Sequence, residues 1–331
     1  MKIPYVLAAG LVYATQCQGA VTLYGIVDNG YRYDKTEGSR PVHGLESSNQ
    51  YASRWGMRGT ESLGGGLEAF FVLESAISTD TGTEGGNRLF NRASYLGLSG
   101  PMGTVRAGRT THLAFEWAPG IANPFGLGYG RAQLGTTFAY NDNEFGSGRV
   151  SNAIYYYSPS LHGFQGGIGY SFQVNGSELP GSSANNRMID LALRFTGGPL
   201  GMVAAYEAVR GAAGAARPKV LTLGASYRLG RLTVNAGYGH LRQSSGTAFG
   251  VGADRSYSVG GSFDVGSRGR LLAAYQTASA SKLDNWAIGY SHALSKRTSL
   301  YTFVNWGKTS PGPVPARLRQ SQFAVGMSHR F

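Results

Sequence analysis

Apolar and polar positions alternate with a period of two through most of the chain. Phe164, Gly166, Ile168, Tyr170, Phe172 and Val174 interleave with Gln165, Gly167, Gly169, Ser171 and Gln173. The same pattern runs through Leu221, Leu223, Ala225, Tyr227 and Leu229, through Trp286, Ile288 and Tyr290, and through Phe323, Val325, Met327, His329 and Phe331. Alternate residues of a strand project to opposite faces, so each segment has one apolar and one polar side. The segments run to about ten residues, longer than the five or six of a soluble sandwich, and their polar side is often Gly or Ser. Both features fit a barrel with lipid outside and water inside.

Sixteen such segments are predicted, at 21–34, 51–62, 67–78, 89–99, 103–109, 150–158, 164–174, 187–196, 201–210, 218–229, 231–242, 255–265, 269–278, 283–293, 298–308 and 318–331. Tight connections such as Gly64-Gly65-Gly66, Gly197-Gly198-Pro199 and Gly230 alternate with longer polar ones, as in an up-and-down membrane barrel. No proline falls inside a predicted strand, where it would break the ladder. The expectation is an all-β fold: one antiparallel transmembrane β-barrel of sixteen strands over residues 21–331. One connection differs. From 110 to 148 no alternation is sustained, and Asn123-Pro124-Phe125-Gly126-Leu127-Gly128 sits near its middle. So long a structureless stretch needs a function, and in a wide barrel it can fold into the lumen and narrow it.

Composition sharpens this picture. Glycine numbers 51 of 331 residues and the charged fraction is 15%, against a usual ~7% and ~25%. No apolar run approaches the ~18 residues of a spanning helix, which excludes a helical membrane protein. Lys2, the apolar stretch from Ile3 to Ala14 and the small-residue end Cys17-Gln18-Gly19-Ala20 read as a secretory leader over 1–20, cleaved after Gly19 or Ala20. Its removal takes the sole cysteine, so the exported chain has no disulfide framework. The net charge is +12 and 24 of the 30 cations are arginine, which favours forked, planar contacts with anions. Arginines this dispersed on an exported barrel do not make a nucleic-acid surface.

Catalysis finds little support. No Gly-x-Ser-x-Gly elbow occurs, and Gly126-Leu127-Gly128-Tyr129-Gly130 lacks the lysine and strand-turn-helix setting of a phosphate cradle. His240, His292 and His329 share the face of their apolar neighbours, while His43, His112 and His162 are expected in loops or turns, with no two at metal-ligand spacing. No catalytic residue, cofactor or metal site is therefore expected. A closed structural or adhesive barrel is the remaining alternative, but Gly and Ser side chains would not fill a lumen.

Particular stretches carry a family resemblance. Val21-Thr22-Leu23-Tyr24-Gly25-Ile26-Val27-Asp28 opens the exported chain, followed by Ser53-Arg54-Trp55-Gly56-Met57-Arg58-Gly59-Thr60-Glu61-Ser62-Leu63-Gly64-Gly65-Gly66-Leu67-Glu68-Ala69. Then come Arg92-Ala93-Ser94-Tyr95-Leu96-Gly97-Leu98-Ser99-Gly100, Gly108-Arg109 and a final His329-Arg330-Phe331. These resemble the general diffusion porins of the Gram-negative outer membrane, in particular the β-proteobacterial, Neisseria and Bordetella type. The resemblance implies a homotrimer in outer-membrane lipid and lipopolysaccharide, a third external loop folded into the pore, and passage of small hydrophilic solutes. It also implies that Phe331 belongs to the signal read by the barrel-assembly machinery, and that the loop from Asp80 to Arg88 latches onto a neighbouring subunit.

Strand parity nominates the charges that face the water side. Arg54 and Arg58 share a face opposite Trp55 and Met57, Arg92 shares one with Ser94 opposite Tyr95, and Arg32 shares one with Asp28. In the resembled family a basic ladder on the early strands faces acids on the infolded loop. The matching positions are Arg54 or Arg58, Arg92 and Arg149, with Arg109 at the loop base and Arg131 within the loop. The loop tip here is Asn123-Pro124-Phe125-Gly126 where many porins carry Pro-Glu-Phe-Gly, leaving Glu116 before it and Asp142 and Glu144 after it. A basic ladder with few opposing acids predicts a preference for anions. Tyr31, Tyr33, Tyr95, Tyr170, Tyr227, Tyr238, Tyr275, Trp286 and Tyr290 are expected on the lipid side as interfacial girdles, with no aromatic series on the water side to stack sugars.

Overall fold

A computed structural model of the protein describes residues 20–85, 88–136, 138, 148–181, 184–211, 217–243, 252–309 and 317–331. The leader through Gly19, with its Cys17, and the acids Asp142 and Glu144 lie outside the described residues.

Strands run β1 Ala20–Thr36, β2 Val42–Ser47, β3 Arg54–Gly64, β4 Leu67–Ser78, β5 Thr83–Glu84, β6 Ala93–Gly100, β7 Gly103–Thr111, β8 Arg149–Tyr157 and β9 Phe164–Ser171. They continue as β10 Arg187–Gly197, β11 Leu200–Arg210, β12 Lys219–Leu229, β13 Leu232–Arg242, β14 Asp254–Val265, β15 Gly269–Ala278, β16 Leu283–Ala293, β17 Thr298–Thr309 and β18 Leu318–Arg330. Sixteen of these pair antiparallel with the next around the ring, and β18 closes on β1 with Ile26 opposite Arg330 and Thr36 opposite Gln320. All sixteen predicted segments are strands. The short β2 and β5 are additions: β2 folds back on β1, and β5 makes a two-residue hairpin with β4. His43, expected in a loop, therefore sits in β2, where its ring lies 6.3 Å from that of Tyr31.

The two faces of the closed sheet differ as the alternation requires. Leu23, Leu96, Ile168, Val259, Ile288 and Val325 are exposed on the apolar face. The other face is polar, and much of it is buried by the segment that follows β7. That segment is not structureless. It makes two helical turns, α1 Leu113–Trp117 and α2 Pro119–Ala122, then 3-10 turns at Gly130–Ala132 and Leu134–Thr136. Helices this short are not stable alone; here tertiary packing supplies them. Leu113, Ala114, Trp117, Ala118 and Ala122 join one buried cluster with Tyr155, Val203 and Val220, and Phe125, Tyr129 and Ala132 join another with Leu272, Tyr301 and Phe303. Close approach depends on glycine at the contact. A Cβ on Gly224 or Gly237 would come within 3.0 Å of the Ala122 Cβ, so bare backbone on β12 and β13 lets α2 lie flat on the wall.

Candidate functional site

The segment after β7 is held to the polar face by hydrogen bonds at both ends and along its length. Its root is fixed where the Leu113 amide donates to Asp190 Oδ2 at 2.7 Å. Along its length, amide side chains on three strands donate to its carbonyls. Asn235 Nδ2 reaches the Ile121 oxygen at 2.9 Å, Gln276 Nε2 the Ala132 oxygen at 2.8 Å and Asn285 Nδ2 the Arg131 oxygen at 2.9 Å. Beyond the tip, the Gly130 amide donates to the Asn49 carbonyl at 3.0 Å, and Gln50 Nε2 donates to the Tyr129 hydroxyl at 2.7 Å. Burial pushes that hydroxyl's pKa up to about 12, so it stays neutral. The turn that receives the segment is itself built on Asp28, which accepts from the amides of Asn49, Gln50 and Tyr51 and from the Tyr301 hydroxyl.

Opposite this neutral wall lies a cationic one. Arg54 at the start of β3 and Arg92 just before β6 pair with Glu74 of β4, and Arg149 at the start of β8 lines the same cavity. Arg92 Nε stands 2.7 Å from Glu74 Oε1, and Arg54 Nε stands 3.5 Å from Oε2. The Tyr24 hydroxyl donates to the same carboxylate at 3.0 Å. The Arg149 guanidinium lies over the Phe115 ring, 5.4 Å from its centroid. One carboxylate, paired with two of the three cations, leaves a local excess of positive charge. A cavity of about 1060 Å³ opens between the two walls. It is lined by Arg54, Arg92 and Arg149 on one side and by Pro124, Phe125 and Gly126 on the other, with Glu116, Asp264, Arg268 and Arg270 also on its surface.

The remaining predicted residues fall elsewhere. Arg58 is exposed, its guanidinium 5.4 Å from the Tyr24 ring centroid. Arg109 donates to the Asn91 carbonyl and to Ser151 Oγ. Arg32 is neutralised by Asp34 at 2.7 Å and Glu46 at 2.9 Å. At Arg131 burial lowers the pKa, and the Asp34 charge opposes the shift. Glu116 is no free acid, because Arg106 Nη2 meets its carboxylate at 2.6 Å and Thr111 and Tyr157 donate to it. From the loop between β4 and β6, Arg88 donates back to Ser151 Oγ of the same barrel at 3.3 Å.

Two expectations about aromatics are corrected. Tyr95 does not face outward: Leu96 and Leu98 occupy that side, and the Tyr95 ring lies 5.2 Å from the Arg106 guanidinium on the polar face. Arg92 and Tyr95 reach the same face because Arg92 precedes the strand, where alternation does not yet hold. The polar face also carries an aromatic series, Tyr24, Tyr95, Tyr155, Tyr157, Tyr301 and Phe303, absent from the sequence reading. Tyr155, Tyr157, Tyr301 and Phe303 are buried; they pack under the segment and around Arg106 and offer no stacking track. Glu74 and Arg106 were the missed charges. Each lies inside a strand, β4 and β7, and Arg106 follows the outward-facing Val105, so parity places it on the polar face.

His112 departs furthest from expectation. The sequence leaves it in a loop, yet it is fully buried at the foot of α1, in contact through Nδ1 with the buried Glu207.

Comparison with known proteins agrees with this architecture. The sequence profile of Gram-negative porins matches residues 5–312. An outer membrane porin protein of Bordetella pertussis is 31% identical, with 98% of each chain aligned. Outer membrane porin protein 32 of Delftia acidovorans is 34% identical over 96% of each chain. An anion-selective porin from Comamonas acidovorans superposes with a TM-score of 0.78 at 28% identity, covering 95% of this chain and all of that one.

Proposed function

Since the chain belongs to the Gram-negative porin family and is an outer-membrane porin, we propose that the segment after β7 folds into the water-filled lumen and that Arg54, Arg92 and Arg149 make the resulting constriction prefer anions. The observation that carries this reading is the cavity between the two walls, with the three guanidinium groups on one side and Pro124, Phe125 and Gly126 on the other. Small hydrophilic solutes pass by diffusion; the protein contributes a width and a field. The fixed charges act where the path is narrow and flanked by low-dielectric protein, so each is screened less than at an open surface. Glu116 does not offset them, being committed to Arg106. The anion-selective solved relative has the same fold, which supports the assignment of sign.

Residues 1–20 act as the export leader, and the remainder is a single barrel domain that assembles as a homotrimer in lipopolysaccharide-containing membrane. Phe331 extends the β18 pairing: its amide donates to the Gly25 carbonyl at 3.1 Å and its carbonyl accepts from the Gly25 amide at 3.2 Å, which supports its place in the signal read by the assembly machinery. The deciding experiment is reversal potential in a planar bilayer under a KCl gradient. Stable steps with an anion-selective potential are expected. Cation preference would overturn the role given to the arginines, and well-folded protein without steps would overturn the open pore.

A further inference from the structure

We propose that His112, Asp190 and Glu207 form a binding site for a divalent transition-metal ion of the zinc class, which pins the root of the segment after β7 to the barrel wall. The three residues come from three elements: His112 precedes α1, Asp190 lies on β10 and Glu207 on β11. One candidate ligand atom from each lies within 4.8 Å of the others, and all three residues are buried. Asp190 and Glu207 are direct cross-strand partners, and like charges directly opposite destabilise a sheet. Both are 0% exposed. Asp190 uses one oxygen, Oδ2, to accept from the Leu113 amide at 2.7 Å and the Tyr155 hydroxyl at 3.0 Å. Its Oδ1 and the Glu207 Oε2 have no hydrogen-bond partner among the described residues. Nor does a lysine or arginine pair with either carboxylate among those residues.

Two buried carboxylates need compensation, since an isolated ionised carboxylate away from water is strongly unfavourable. A single imidazolium supplies one positive charge; a divalent ion balances both carboxylates while the imidazole stays neutral. The donor set is one ring nitrogen and two carboxylate groups, which suits zinc and its neighbours; calcium and magnesium prefer oxygen alone. Donors around one such ion lie about 2 Å from it and hence ~3 Å from each other, so binding parts His112 Nδ1 from Glu207, which touch here, and draws Asp190 in by side-chain rotation. The contacts to Asp190 from Leu113 and Tyr155 are those of an outer shell that fixes a ligating carboxylate. The ion would tie the loop root to two strands at the point where the chain leaves the barrel wall.

Because the donors are buried, the ion enters as the protein folds, and the test is refolding of the whole protein. The probes are Co²⁺ for its visible absorption and Zn²⁺ for stability, each against refolding with chelator. After desalting, the Co²⁺-refolded protein is expected to hold one ion per chain with a visible d–d band, and Zn²⁺ is expected to raise the thermal midpoint. Glu207→Gln is expected to lower Co²⁺ affinity at least ~10-fold, whereas Asp284→Asn, a carboxylate distant in the sheet, leaves binding intact. Wild-type protein that folds with Co²⁺ present yet retains none overturns the proposal, whatever the variants do. Undiminished retention in Glu207→Gln also overturns it, by locating the ion elsewhere.

Discussion

The two walls that face each other across the cavity are built from different chemistry. The wall formed by β12 to β16 holds the segment with glycines and neutral amides, each amide spent on a carbonyl of the segment, while its Asp264 and Arg270 on the cavity pair with each other. The wall formed by β3, β4 and the starts of β6 and β8 presents Arg54 and Arg92 paired with one carboxylate, and Arg149 beside them on the cavity. The first positions without charge; the second carries charge and makes few contacts to the segment. A net hydrogen bond between neutral groups is worth about 1 kcal/mol and is insensitive to salt, so several in series hold the segment without altering the field. Geometry and selectivity are thereby separable, and substitutions should show them so.

The largest effect is expected from removing the charged wall alone. A unit charge ~8 Å from a passing ion contributes on the order of 2 kcal/mol at an effective dielectric of ~20, less in high salt. Combined Arg54→Ala, Arg92→Ala and Arg149→Ala should lower the anion-to-cation permeability ratio ~10-fold or more in dilute KCl, measured by reversal potential. An unchanged ratio in a folded barrel would place the selective field elsewhere. Glu74→Gln works in the opposite direction: it removes the shared counter-charge while keeping an acceptor for Arg92, and the ratio should rise several-fold.

Disturbing the neutral wall should change conductance and leave selectivity nearly fixed. A Cβ on Gly128 would stand 2.0 Å from the Gln50 carbonyl oxygen, so Gly128→Ala must displace the tip, at about 1–3 kcal/mol of strain. Single-channel recordings should then show larger or noisier steps. Gln276→Ala with Asn285→Ala removes two donors to the segment, at roughly 1 kcal/mol each, and should increase protease cleavage within it. Constant cleavage and steady conductance would mean that packing of Phe125 and Leu134 suffices. Arg32→Ala should do least, since Arg32 is already matched by Asp34 and Glu46.

The barrel was legible because alternation is a local signal repeated in every strand, so errors in one segment do not spread. β2 escaped because Val42, Gly44 and Leu45 are exposed and the run is too short to establish a period. Parity placed Arg54 and resemblance nominated Arg92 and Arg149, but the carboxylate that pairs with Arg54 and Arg92 was not visible. Glu74 reads as one acid among strand residues until the register sets it opposite Gly56, two residues from Arg54. The helical turns of the segment have no periodic signature; Leu113 and Trp117 are fixed by contact with Gly167 on β9. Nothing local to His112 announces Asp190 and Glu207, which reach it only from β10 and β11, the third and fourth strands after it.

The closing seam has a consequence for the order in which the protein can be completed. Every other neighbour pair in the ring is consecutive along the chain, or nearly so, and closes a loop that is short beside the whole chain. β1 and β18 alone join the two ends of the sequence, with Ile26 set against Arg330. Until that seam shuts, the early strand and the late one each present unpaired amides and carbonyls, a template for any other strand. Closing the β1–β18 seam therefore ends the barrel's exposure to pairing with other chains at both edges at once.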